Sequence, residues 1–130
     1  MKKHNFRELT IWKESMDFVK KVYRITPQLP SEERFGFISQ INRSSFAIPS
    51  NIAEGSGRTS TKECIRFLEI AISSSYELVT QLILKQDLFN VDAKLLLDEL
   101  TTLQNKIGAF IRKLRNDMNN ESQGPKILRS

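Results

Sequence analysis

The residues that could do chemistry are carboxylates and arginines inside predicted helices. Asn51, Glu54 and Arg58 follow one another at spacings of three and four residues, so they share one helix face. Glu77 interrupts an otherwise apolar stretch further along the chain. Two such carboxylates could act as general acid and general base. The alternative, which we favour, is structural: Glu54 pairs with Arg58, while Asn51 bonds to buried backbone or to a neighbouring helix.

Other catalytic or ligating groups are scarce. His4 is the only histidine and Cys64 the only cysteine, so there is neither a Cys/His cluster nor a Glu-x-x-His pair of the kind that binds iron in helical bundles. Gly55 and Gly57 flank Ser56 without the lysine of a phosphate-binding loop. The sequence therefore predicts no metal, no cofactor and no enzymatic activity. A single cysteine also fits a reducing cytoplasm.

The chain is basic, and its positive charge lies at the two ends. The net charge is +5 over 130 residues, and it divides into +4 for residues 1–24, −3 for 25–105 and +4 for 106–130. If the first and last helices lie side by side, the two ends form one basic surface that attracts RNA or DNA. The alternative is an ordinary solvated surface with a basic tail. The candidate nucleic-acid contacts are Lys2, Lys3, Lys13, Lys20, Lys21, Arg24, Arg112, Lys113 and Arg115.

Proline, glycine and polar residues divide the chain into four segments with helical periodicity. The helices are predicted at about 8–26, 32–55, 61–88 and 92–115, and no stretch alternates as a strand would. Short turns between helices of similar length favour an all-α fold, an antiparallel up-down-up-down four-helix bundle over residues 1–116. Residues 117–130 are expected to form a flexible polar tail.

The third segment has the clearest core pattern. Ser60 and Glu63 form a capping box at its start. The same periodicity places Val22 and Tyr23 in the apolar stripe of the first segment. In the fourth segment it selects Leu96, Leu100, Leu103, Ile107, Phe110 and Leu114. The remaining apolar residues are either a well-filled core or a face that a partner subunit covers, and the pattern favours neither. The heptad seam of the third segment, at alternating spacings of three and four, is Ile65, Leu68, Ile72, Ser75, Val79 and Leu82.

Several motifs of the first three helices are specific enough to compare with known families. They are the run from Phe6 to Trp12, the pairs Val22-Tyr23 and Leu29-Pro30, the run from Phe37 to Arg43, the segment from Ser45 to Arg58 with Pro49, Asn51 and Glu54-Gly55, and then Phe67-Leu68, Ile70-Ala71, Ser74 and Glu77-Leu78. Together these motifs resemble the 23S rRNA-intervening sequence protein family of four-helix bundles. The match spans about residues 6–90, and the fourth helix matches in its apolar pattern.

The resemblance implies a small bacterial protein with an antiparallel four-helix bundle and no enzymatic activity. It also implies a ring-like homo-oligomer, in particular a pentamer. Some members of the family are encoded within insertions in large ribosomal RNA genes. The related accessory variability determinant proteins form a positively charged barrel that engages nucleic acid and a reverse transcriptase.

The same resemblance selects a set of structural or interface residues. Gly55 is expected to end the second helix and permit the turn that follows. Glu54 and Arg58 are expected to form an ion pair within or between subunits. The full set is Arg43, Asn51, Glu54, Gly55, Arg58 and Glu77.

We expect a non-enzymatic oligomeric scaffold that associates with RNA. Binding would tolerate any sequence, because no recognition-helix motif or aromatic platform for reading bases is evident. The alternative is a protein–protein interaction module with no nucleic-acid role, and an enzyme that uses Glu54 and Glu77 ranks last. No apolar stretch approaches about 20 residues, so we expect no membrane span and a cytoplasmic location.

Overall fold

The structure is a computed structural model, and it describes residues 4–26, 32 and 34–123. Four helices make up most of this part of the chain: α1 Thr10–Ile25, α2 Ser39–Ser56, α3 Thr61–Phe89 and α4 Lys94–Gln123. A 3₁₀ turn, Phe6–Glu8, precedes α1, and a π-helical turn, Arg34–Ile38, precedes α2. The described ranges contain no strand, and the all-α prediction is confirmed.

Contacts between neighbouring helices give their order and direction. Lys21 pairs with Glu99 and Glu14 pairs with Lys106, so α1 and α4 run in opposite directions. The other neighbours are also antiparallel. α2 contacts α3 at Ser44–Gln81 and again at Gly55–Cys64, and α3 contacts α4 at Ser75–Gln104 and at Glu69–Arg115. The segment before α1 lies at the end of α2, where the backbone N–H of His4 donates to the Ser56 carbonyl. Each helix thus contacts the next, and α4 closes the bundle against α1.

Two helix boundaries differ from the prediction. α2 begins at Ser39 rather than near residue 32, because a π-helical turn occupies Arg34–Ile38. α4 continues to Gln123, past the predicted end at residue 115. No helix-breaking residue lies between 115 and 123, since the first glycine and proline after residue 115 are Gly124 and Pro125. Residues 117–123 are therefore helical rather than part of a tail, and 124–130 lie outside the described residues.

The turns on either side of α3 are fixed by side-chain caps. The Ser60 hydroxyl accepts a hydrogen bond from the Glu63 N–H at 3.0 Å, as the predicted capping box requires. Asn90 ends α3 in the left-handed region with φ 55°, and its N–H donates to the Gln86 carbonyl. The Gln86 side chain accepts from the Ala93 N–H at 3.1 Å, which joins this end of α3 to the start of α4.

The buried face of α3 is wider than the predicted seam, of which Ile65, Leu68, Ser75 and Leu82 are buried as predicted. Ile72 and Val79 of the predicted seam are only half-buried. Small α2 residues such as Ser44 and Gly55 face α3, so the two helices pack closely and further α3 positions beside the seam are buried. The buried residues of α3 are Thr61, Cys64, Ile65, Leu68, Ala71, Ser74, Ser75, Leu78, Leu82 and Lys85.

The predicted stripes of α1 and α4 each contain one aromatic residue that is not in the core. Tyr23, expected in the core of α1, is 58% exposed, and Val22 is buried beside it. Phe110, expected in the core of α4, is half-buried, and Ile111 occupies the core instead. In each case two adjacent apolar residues compete for one inward position, and only packing against the neighbouring helix decides between them.

α3 is long and apolar enough to cross a membrane, by length and composition alone. The mean hydropathy of its best 18-residue window is 1.3, and 33% of that window is buried in the bundle. No uninterrupted apolar run marks this helix in the sequence, because Glu69, Glu77 and several serines interrupt its apolar residues. A bundle helix that carries core on its inner face meets the same criteria, so this is weak evidence for a membrane span.

Candidate functional site

The first candidate surface is the outer seam between α2 and α3, here called the α2/α3 edge. Arg43 of α2 forms an ion pair with Glu77 of α3, and its Nε donates to the Gln40 side chain at 2.9 Å. Arg58, two residues after the end of α2, pairs with Glu54 in the last turn of this helix at 2.8 Å. The pair that the family resemblance implies therefore forms within one chain.

Arg58 makes a second contact that holds it against α3. Its guanidinium carbon lies 4.5 Å from the centre of the Phe67 ring, within the range of a cation–π interaction. Its Nε is buried and has no hydrogen-bond partner among the residues that the structure describes. The Phe67 ring thus gives Arg58 a contact with α3 in addition to its exposed bond to Glu54.

Gly55 does not play the predicted role. It lies inside the last turn of α2, which continues to Ser56, and Gly57 caps the helix with φ −87°. Neither glycine adopts the left-handed conformation that a glycine turn uses. A Cβ at position 55 would lie 3.0 Å from the Cys64 carbonyl oxygen and 3.1 Å from the Phe67 Cβ. Gly55 is therefore needed for the close approach of α2 to α3.

Asn51 serves its own helix. Its Nδ2 donates to the Ala47 carbonyl at 2.7 Å, one turn earlier in α2. Asn51 therefore contributes a bond within α2 rather than a contact across the edge.

The α2/α3 edge also contains exposed apolar side chains on α3. Ile70, Leu84 and Leu88 share a stripe with Glu77 at spacings of seven and four residues, and all three are exposed, Leu88 to 65%. The α2/α3 edge therefore alternates ion pairs with exposed apolar side chains.

Glu54 and Glu77, the two carboxylates that could act as general acid and general base, do not lie close together. Glu54 lies eleven residues from Arg43 in α2, which is roughly 16 Å along the axis, and Glu77 pairs with Arg43. Burial raises the pKa of the Cys64 thiol, which keeps it protonated rather than nucleophilic. No cluster of three potential metal ligands occurs in the part of the chain that the structure describes. These residues present no catalytic constellation.

The predicted basic surface between α1 and α4 is interrupted by acidic residues. Lys21 is neutralised by Glu99 at 3.0 Å and Lys106 by Glu14 at 2.7 Å. The groove between these helices also includes Asp17, so its carboxylates outnumber its lysines. The side-by-side position of α1 and α4 is thus as expected, but it does not produce a continuous cationic face.

The antiparallel packing also separates the predicted contacts into two groups. The His4 ring lies 5.5 Å from Phe110, so the C-terminal part of α4 is level with the start of the described chain. Lys20 and Arg24, near the other end of α1, therefore lie roughly 18 Å or more along the axis from Arg112. Lys20, Lys21 and Arg24 accordingly lie apart from Arg112, Lys113 and Arg115. Lys13 is level with the middle of α4, because the adjacent Glu14 pairs with Lys106, and Lys2 and Lys3 lie outside the described residues.

A second candidate surface is the groove between the N-terminal half of α3 and the C-terminal half of α4, here called the α3/α4 groove. It consists of two adjoining hollows of about 430 and 300 Å³ that share Glu69 and Arg115. Cations outnumber carboxylates here. The charged lining residues are Lys62, Arg66, Arg112 and Arg115 against Glu63 and Glu69.

Sequence reasoning found only part of this groove. Arg112 and Arg115 were among the predicted contacts, whereas Lys113 points about 100° away around α4. Lys62 and Arg66 were missed. Their spacing of four residues, which places them on one face of α3, is the signal that the sequence offers. The net negative charge of the segment 25–105 conceals these two cations when charge is summed over the segment.

Lys85 is a further residue that the sequence did not single out. It is fully buried at the end of the α3 seam, and its Nζ has no hydrogen-bond partner within the described ranges. Desolvation lowers its pKa from the usual 10.5. Continuing the register Leu78, Leu82 by three residues would have predicted its inward position.

Comparison with known proteins identifies one family. The family model described as 23S rRNA-intervening sequence protein matches residues 7–114, which covers all four helices apart from the last turns of α4. No curated protein matches the chain at a significant level.

Proposed function

The chain belongs to the 23S rRNA-intervening sequence protein family, and from this premise we propose that it is a non-enzymatic, oligomeric scaffold that associates with RNA. The observation that carries the proposal is that α3 borders two adjoining surfaces of different chemistry. It contributes exposed apolar residues to the α2/α3 edge and cations to the α3/α4 groove.

The α2/α3 edge supports self-association into a ring, with a pentamer as the specific proposal. A row of exposed leucines favours association, because burying apolar surface against a partner contributes roughly 25 cal/mol per Å². The ion pairs Arg43–Glu77 and Glu54–Arg58 between them provide polar groups that a second copy of the chain can meet. The occupant that fits this mixture best is another copy of the same surface or of one adjoining it.

The α3/α4 groove supports RNA association. Its cations face a common channel, and Lys62, Arg66 and Arg112 form no ion pair with any carboxylate that the structure describes. Phosphates can therefore bind without first displacing an acidic partner. The α1/α4 groove offers the opposite balance, because Glu14, Asp17 and Glu99 would repel a phosphate backbone.

Light scattering coupled to size-exclusion chromatography tests the oligomer. The expected mass is several times the 15.0 kDa of one chain. The double variant Leu84→Asp, Leu88→Asp should lower this mass, whereas Leu95→Asp should not, because Leu95 is equally exposed but lies on α4 away from the edge. A wild-type mass equal to one chain would remove the oligomeric half of the proposal.

Filter binding of a structured ribosomal RNA fragment, at two salt concentrations, tests the RNA half. The triple variant Lys62→Glu, Arg66→Glu, Arg112→Glu is compared with Lys13→Glu, Lys20→Glu, Arg24→Glu, which changes the net charge by the same amount. The groove variant should lose most of its affinity, and its dependence on salt should become shallower. Equal loss in both variants would mean that net charge rather than the groove attracts RNA. Failure of the wild type to bind at low salt, with the oligomer intact, would leave the protein–protein interaction module as the better interpretation.

A further inference from the structure

A notch beside one aromatic ring suggests how the α3/α4 groove distinguishes forms of RNA. Gly108 interrupts the row of side chains on α4 that faces α3, and the gap forms the hollow of about 300 Å³. Tyr76 of α3 lines it and is 60% exposed. Arg112, one turn after Gly108, lines it from the α4 side. A planar ring, an open gap and a cation thus lie together.

The rest of the lining suits one nucleotide. Ile72 and Ile111 form an apolar floor, and the exposed Ser73 offers a hydroxyl at the rim. Arg115 closes one end, where its bond to Glu69 at 2.9 Å neutralises the only carboxylate of the notch. Arg112 forms no ion pair in the part of the chain that the structure describes. A base has an apolar surface and polar edges, and its phosphate is anionic, so each part finds a matching group.

We propose that the notch holds one unpaired base of an RNA strand, stacked on the Tyr76 ring, with the adjacent phosphate at Arg112. This proposal rests on the RNA association proposed above and adds a preference for single-stranded segments. Stacking requires a base that is splayed out of a helix, and bases in duplex RNA are already stacked on one another. The notch is open and at the small end of the size range of ligand pockets, so it fits one residue of a longer strand better than a free nucleotide.

The position of Tyr76 keeps the notch accessible in an assembly. Tyr76 lies six residues after Ile70, which places it about 120° around α3 from the stripe of Ile70 and Leu88. Subunits that meet through the α2/α3 edge would therefore leave this side of α3 uncovered.

Fluorescence anisotropy with labelled oligonucleotides tests the proposal. Wild type, Tyr76→Ala, Tyr76→Phe and the control Tyr23→Ala are titrated with a single-stranded RNA and with the same strand in a duplex. Tyr23 is 58% exposed on α1 and serves as the matched tyrosine. Tyr76→Ala should weaken single-strand binding about fivefold or more and leave duplex binding unchanged, while Tyr76→Phe should retain wild-type affinity.

A second variant tests the shape of the notch. Gly108→Leu fills it, and a Cβ at this position meets only the flexible Arg112 side chain at 3.5 Å, so the fold should tolerate the change. This variant should also weaken single-strand binding selectively. If Tyr76→Ala and Tyr23→Ala behave alike while the wild type binds RNA, the notch is not the site but the proposed function stands. If the wild type binds neither RNA form, both proposals fall together.

Discussion

The backbone of Gly55 lies so close to that of Cys64 that a Cβ on Gly55 would be 3.0 Å from the Cys64 carbonyl oxygen. This contact joins the last turn of α2 to the first turn of α3, and the second neighbour of the missing Cβ is the Cβ of Phe67, at 3.1 Å. Backbone cannot move aside as a flexible side chain can. The closeness of α2 and α3 therefore depends on the absence of a side chain at this position.

Gly55→Ala should destabilise the bundle despite the higher helix propensity of alanine. The cost of overpacking is about 1–3 kcal/mol, which exceeds the gain of up to about 1 kcal/mol from replacing a helical glycine. Urea denaturation followed by circular dichroism measures the change in the free energy of unfolding. An unchanged or increased stability would mean that the two helices can separate without penalty.

Gly108→Ala should change stability in the opposite direction. Gly108 lies in the middle of α4, and a Cβ there would meet only the Nη1 atom of Arg112, at an ordinary contact distance of 3.5 Å. With no clash, the propensity gain of about 0.5–1 kcal/mol remains. The two glycines thus form a matched pair in the same denaturation assay. A loss of stability in Gly108→Ala would show that the notch on α4 contributes to folding.

The contrast between these glycines explains how far the sequence could predict the fold and the site. Helix positions, capping by Ser60 and the antiparallel order followed from periodicity and local chemistry, which act over a few residues. The role of Gly55 did not, because a glycine near a helix end has the same local appearance whether it permits a turn or a close approach. The wider buried face of α3 and the inward position of Lys85 likewise depend on which neighbouring helix has small residues.

The charged groove was hidden for a related reason. The net charge of each segment of the sequence is positive only at the two chain ends. The structure instead brings Lys62 and Arg66 beside Arg112 across an interhelical seam. It also pairs Lys21 with Glu99, which removes a predicted contact from the free cations. Pairing across helices requires the register of the bundle, which no local pattern supplies.

Arg58→Ala should cost more stability than Glu54→Ala. Glu54 loses only an exposed ion pair, worth about 0–1 kcal/mol, whereas Arg58 also loses its packing on Phe67, worth about 0.5–1 kcal/mol more. Arg66→Ala serves as the matched control, because its guanidinium carbon lies farther from the same ring, at 5.9 Å compared with 4.5 Å for Arg58. Thermal and urea denaturation of the three alanine variants should rank Arg58 as the most destabilised. A larger effect for Glu54→Ala would mean that the ion pair, not the ring, holds the end of α2.

Lys85→Met should stabilise the bundle at neutral pH. The Lys85 ammonium is fully buried without a hydrogen-bond partner among the described residues, and methionine keeps the apolar stem while removing the charge. Relief of an uncompensated buried charge is expected to raise the free energy of unfolding by about 1–3 kcal/mol. Lys94→Met, at an exposed lysine of the same end of the bundle, should change it by less than about 0.5 kcal/mol.

The same residue predicts a dependence on pH whose sign is fixed. Desolvation lowers the pKa of Lys85 in the folded protein below the usual 10.5, so the unfolded chain binds the proton more tightly. Wild-type stability therefore rises with pH between the lowered pKa and 10.5, because the unfolded chain holds a proton there that folding must remove, and removing it costs less as the pH rises. The advantage of Lys85→Met over the wild type should shrink from about pH 7 to about pH 9.5 in urea denaturation. An advantage that stays constant over this range would show that the folded protein keeps the Lys85 proton up to about pH 9.5, so that its pKa is not lowered into this range. A destabilised Lys85→Met would show that the ammonium has a partner in solution.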